Sequence, residues 1–100
     1  MKAVFHFNEP DKLNGLNANL INMKKYDQNI EIVVVVNGPA VKLFTQKVKM
    51  VDDVKYHICN NALIAHDIDK SNLLEGLQVV PSGVVDLLQL QNKGFAYIKP

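Results

Sequence analysis

The stretch Ile30-Glu31-Ile32-Val33-Val34-Val35-Val36 decides the fold. It is short, β-branched and apolar at every position except Glu31. A strand with one wet face would alternate apolar and polar residues. An unbroken apolar run of this length instead fits a central strand of a parallel sheet, covered by helices on both faces. Asn37-Gly38-Pro39 closes the run with turn formers, and Pro39 is placed to open a short helix through Phe44.

Upstream, Ala3-Val4-Phe5-His6-Phe7 is a first strand, stopped by Asn8-Glu9-Pro10. Beyond it Leu13, Leu16, Leu20, Ile21 and Met23 recur at helical spacing. Asp11 is the expected N-cap of that helix, which ends at Asp27-Gln28-Asn29. Downstream, Val54 to Cys59 is a third strand and Asn60-Asn61 leads into a short helix, Ala62 to His66. Asp69 to Asn72 is a turn, and Leu77 to Val80 is a fourth strand ended by Pro81-Ser82-Gly83. Ser82 caps a helix from Val84 to Asn92, Lys93-Gly94 terminates it, and Phe95 to Ile98 is the last strand. Strict alternation of strand and helix with short connections predicts an α/β domain, its parallel sheet carrying helices on both faces. One domain covers residues 1–100.

The composition excludes several functions. The chain has 11 basic and 10 acidic residues and a net charge of +1. It contains no arginine, so it lacks both a basic footprint for nucleic acid and the usual bidentate phosphate reader. Its longest apolar runs fall far short of the roughly 20 residues a membrane span needs, and no signal peptide opens it. With one cysteine it can form no internal disulfide, and a cytoplasmic location is expected. Neither a dinucleotide fingerprint nor a phosphate loop occurs, and no histidine–carboxylate spacing suggests a metal site. No cofactor or metal is therefore expected.

Ligands of open parallel sheets bind beyond the carboxyl ends of the strands. The candidates for binding are accordingly Asn8, Asn37, Gly38, Asn60, Asn61 and Ser82, although each also serves as an ordinary turn former or cap. Cys59 is the candidate reactive group. It ends a strand and precedes a helix, where free amides and the helix dipole favour thiolate over thiol. The competing reading is a buried cysteine acting as a small hydrophobe. His57 is on the same strand face but about 7 Å away along it, too far for direct pairing. His6 is the better partner if the first strand neighbours the third, and His66 is structural.

Ile58-Cys59-Asn60-Asn61-Ala62-Leu63, Leu74 through Val85, and Gly94-Phe95-Ala96-Tyr97-Ile98-Lys99-Pro100 together resemble the DsrE/DsrF-like family. Asn37-Gly38-Pro39-Ala40-Val41 agrees with it, and the likeness runs the length of the chain. The resemblance implies a three-layer α/β/α domain with a five-stranded parallel sheet, assembled as a homo-oligomer, a trimer or hexamer. It also implies sulfur relay with persulfide held on a cysteine at this junction, a role that falls on Cys59. A sulfur donor or acceptor protein would then be a partner. The alternative is a non-catalytic oligomeric module binding a small anion or nucleotide. The wide apolar band of the helix from Val84 to Leu90, with Leu73, Leu74 and Phe95, is the expected interface.

Overall fold

The computed structural model describes residues 1–100. The elements run β1 (Lys2–Phe7), a 3-10 turn (Pro10–Lys12), α1 (Leu13–Tyr26), β2 (Glu31–Val36) and a 3-10 segment (Gly38–Thr45). They continue with β3 (Lys55–Cys59), α2 (Asn60–Ala65), a 3-10 turn (Lys70–Asn72), β4 (Leu77–Val80), α3 (Gly83–Asn92) and β5 (Ala96–Ile98). All strand pairs are parallel, in the order β4-β3-β2-β1-β5. The all-apolar run is thus the central strand. Ile32 through Val36 are each no more than 2% exposed, because both faces of this strand are covered.

The two faces carry separate cores. Phe5, Phe7, Ile32, Val34, Val36, Tyr56 and Ile58 pack with Leu16 and Leu20 of α1, Phe44 of the 3-10 segment, and Leu63 of α2. On the other face Val4, Val33 and Val35 meet only α3, through Leu87 and Leu90, together with Phe95. One ten-residue helix covers a five-stranded face, so ground on both sides of α3 stays uncovered.

Several local details differ from the sequence expectation. Asp11 is not a helix cap: Pro10, with its fixed φ, starts a 3-10 turn that runs directly into α1, whose N-cap is Lys12 without a side-chain bond. The segment after Pro39 is 3-10 rather than α. Asn60 and Asn61 form the first turn of α2 rather than a preceding loop. Ser82 caps α3 as expected, Oγ accepting from the Val85 N–H at 3.5 Å, and Gly94 follows the helix at φ +94.

Tyr56 gives the fold a pH signature. Its hydroxyl accepts the Val51 N–H at 2.9 Å, and burial pushes its phenol above the ordinary value, with the Val51 bond opposing in part. A raised folded value means stability is full below the unfolded-state value near about 10 and is lost as pH rises through the folded one. Thermal unfolding followed against pH is therefore expected to show a loss above about pH 10. Tyr56→Phe should lessen that loss, while leaving Val51 without its acceptor at a neutral-pH cost of about 1 kcal/mol.

Candidate functional site

The ends of β1 to β4 bring Asn8, Asn37, Cys59 and Ser82 to one edge of the sheet. Cys59 is the N-cap of α2, extended at φ −75 and ψ 117, and its Sγ accepts the Ala62 N–H at 3.4 Å. A cysteine here does the work of a capping serine: it satisfies one of the amides that the first helical turn leaves free.

Cys59 is more enclosed than a strand end suggests, at 6% exposed. Ala62 and Leu63 of α2 pack with it, and the start of α3 folds over it. Gly83 makes that approach feasible. A β-carbon there would lie 3.2 Å from Cys59 Cβ, 3.1 Å from Asn37 Cβ and 3.3 Å from Asn37 Nδ2. The bare backbone of Gly83 thus joins Cys59 to Asn37, a contact between β2, β3 and α3 that no local sequence signal announces. At Gly38 φ is +55, and a β-carbon there would meet Asn8 Cβ at 3.6 Å.

The expected site residues therefore divide. Asn37 is brought to Cys59, and Asn8 to Gly38. Asn60 is half-buried, Asn61 is exposed on α2, and the Ser82 hydroxyl is engaged in its cap. Asn8 Oδ1 is enclosed without a partner.

His6 does not pair with Cys59, because β2 lies between β1 and β3. Its ring joins Tyr97 to Asn37 instead, with Nδ1 2.6 Å from the Tyr97 hydroxyl and Nε2 2.9 Å from Asn37 Oδ1. An amide oxygen only accepts, so Nε2 carries the proton and Nδ1 accepts from Tyr97. Asn37 is then fixed with its oxygen toward His6 and its nitrogen toward Gly83. Tyr97 was missed in the sequence because β5 pairs with β1, which strand alternation alone does not reveal. His57 turns away from Cys59 to Asp86, at 2.7 Å. At the end of β1, Lys99 donates to Glu9 at 3.0 Å and holds that carboxyl below its usual range.

No group of three or more His, Cys, Asp or Glu residues is arranged to hold a metal. Five surface cavities of about 390 to 570 Å³ are lined by residues other than Cys59.

The parallel five-stranded α/β domain has known counterparts. The family model for the DsrE/DsrF-like family matches residues 1–100, and the chain belongs to that family. Among solved structures it is similar to the protein of unknown function MTH1491 from Methanobacterium thermoautotrophicum, with 29% identity and a TM-score of 0.88, covering 99% of this chain and 98% of that one. It also shares its fold with the ychN protein from E. coli, with 13% identity and a TM-score of 0.76, covering 100% of both chains. Among curated proteins there is no match.

Proposed function

We propose that the protein is a small sulfur carrier that holds persulfide on Cys59. The observation that carries this reading is the position of the single thiol: it caps a helix at the carboxyl edge of the sheet, under the first turns of α2 and α3. Family membership supports it, since sulfur relay through a cysteine at this junction is what the resemblance implies. In the loading step the Cys59 thiolate attacks the outer sulfur of a donor R–S–SH. The new bond joins Sγ to that sulfur, the donor's S–S bond breaks, and the donor leaves as RS⁻.

The alternative, a module binding an anion or nucleotide, draws less support. The enclosed unpaired atom of Asn8 is an acceptor rather than a donor and offers an anion nothing. Intact-mass measurement after incubation with an inorganic polysulfide tests the carrier reading. A gain of one sulfur atom per folded chain, reversed by reductant, is expected. An unchanged mass would turn the reading toward the binding module.

The carrier acts as a homo-oligomer, a trimer or hexamer, in the cytoplasm, exchanging sulfur with a donor or acceptor protein. Val84, Val85 and Leu88 support the assembly: they stand 65%, 47% and 59% exposed on α3. Phe95 is no part of that face, being 6% exposed in the core under α3, and Leu73 and Leu74 pack against the main core. No helix is long and apolar enough to cross a membrane. Leu88→Glu places a charge in the proposed contact without touching the core. Sedimentation equilibrium is expected to show it shifting toward the 11.2 kDa monomer. A wild-type chain that is monomeric at micromolar concentration would refute the assembly.

A further inference from the structure

On the sheet face covered by α3, a cleft of about 420 Å³ runs between the helix and β4. His57, Gln78 and Val80 line it from the sheet; Ser82, Asp86, Gln89 and Lys93 line it from α3 and its ends. Its centre is the contact of His57 Nδ1 with Asp86 Oδ2 at 2.7 Å, between side chains only 11% and 13% exposed. A carboxylate only accepts, so Nδ1 carries the proton and the neutral ring keeps its lone pair on Nε2. Nε2 has no partner within the chain, yet it is not among the enclosed unpaired atoms, which are Asn8 Oδ1 and Asn17 Oδ1. It therefore opens to the cleft. A carboxylate behind the ring fixes the tautomer and stabilises the imidazolium once a proton arrives. The Lys93 ammonium has no carboxylate partner, and Lys93 lines the same cleft at the far end of α3.

We propose that this cleft is a second site, independent of Cys59. It binds a small molecule bearing an anionic group for Lys93 and a weakly acidic X–H that His57 deprotonates. The proton passes from X to Nε2 and the bonding pair stays on X; Asp86 carries no proton in the step. The cleft volume lies within the range of small-molecule sites. The proposed assembly meets the cleft only at Val85, which lines its rim, since Val84 and Leu88 lie at helical positions away from the row 82, 86, 89 and 93.

Two measurements on the full chain test it. The first is carbethoxylation by diethyl pyrocarbonate, mapped by mass spectrometry. His57 is expected to react faster than the half-buried His66 despite its burial, and about tenfold slower in Asp86→Ala, which leaves Nδ1 without its acceptor and the tautomer unfixed. The second is an NMR titration with 4-mercaptobutyrate under reducing conditions, with butyrate for comparison. Saturable shifts at Gln78, Gln89 and His57 are expected. A larger shift of the His57 ring is expected with the thiol, whose S–H donates to Nε2, than with butyrate, and Lys93→Gln, a surface change that spares the fold, should weaken both ligands about tenfold. The proposal is overturned if His57 reacts no faster than His66, or if neither ligand gives saturable shifts. The pair is then a clip fastening α3 to the sheet.

Discussion

Cys59→Ser is expected to abolish sulfur loading while leaving the fold intact. The serine hydroxyl is among the preferred N-cap acceptors and takes over the bond from the Ala62 N–H that Sγ now receives at 3.4 Å. The added polarity falls at a helix start, where a partner is present, so the unfolding midpoint should move by about 1 kcal/mol or less. The chemistry has no such substitute: an alkoxide is not accessible near neutral pH and forms no persulfide. Thermal unfolding and intact mass, measured on the same sample, separate the two effects. A variant that fails to fold would mark Cys59 as a packing residue, and one that still gains sulfur would place the chemistry elsewhere.

The largest loss of stability is expected from Phe44→Ala. A 3-10 segment of eight residues is long for its type and makes poorer hydrogen bonds than an α-helix, so packing must hold it. Phe44 provides that packing. It is 1% exposed, meets Phe7 edge-on with ring centroids 6.4 Å apart, and lies 6.1 Å from the Tyr56 ring. Its carbonyl also accepts the Leu74 N–H at 2.9 Å, tying the segment before β4 to the same anchor. Removing a buried phenylalanine typically costs about 3–5 kcal/mol. That is a large part of the roughly 5–15 kcal/mol by which a domain is stable. Urea unfolding should show a correspondingly lower midpoint. A loss below about 1 kcal/mol would mean the segment is only loosely docked.

What the sequence made legible was local. The run from Ile32 to Val36 announced a central parallel strand because both its faces had to be covered, and β2 is the middle strand. Ser82 and Gly94 marked the ends of α3 because capping depends on neighbours a few residues away. The thiol at the end of β3 was visible for the same reason. Strand order was not legible, since alternation of strands and helices does not say that β5 lies beside β1. The pairing of His6 with Tyr97, 91 residues apart, follows from that order and was hidden with it. His57 and Asp86 meet across 29 residues only because α3 crosses that face. The enclosure of Cys59 likewise depends on Gly83, which the chain brings back from beyond β4.

The rate at which the thiol gains sulfur, compared between the folded chain and the same chain unfolded in urea at one pH, tests the carrier reading most directly. A structural cysteine is protected by folding, whereas a carrier's cysteine is prepared by it. Faster loading of Cys59 in the folded protein, detected as a one-sulfur mass gain with inorganic polysulfide, is the predicted result. Loading that is slower in the folded protein than in the unfolded chain would contradict it and leave Cys59 as part of the core.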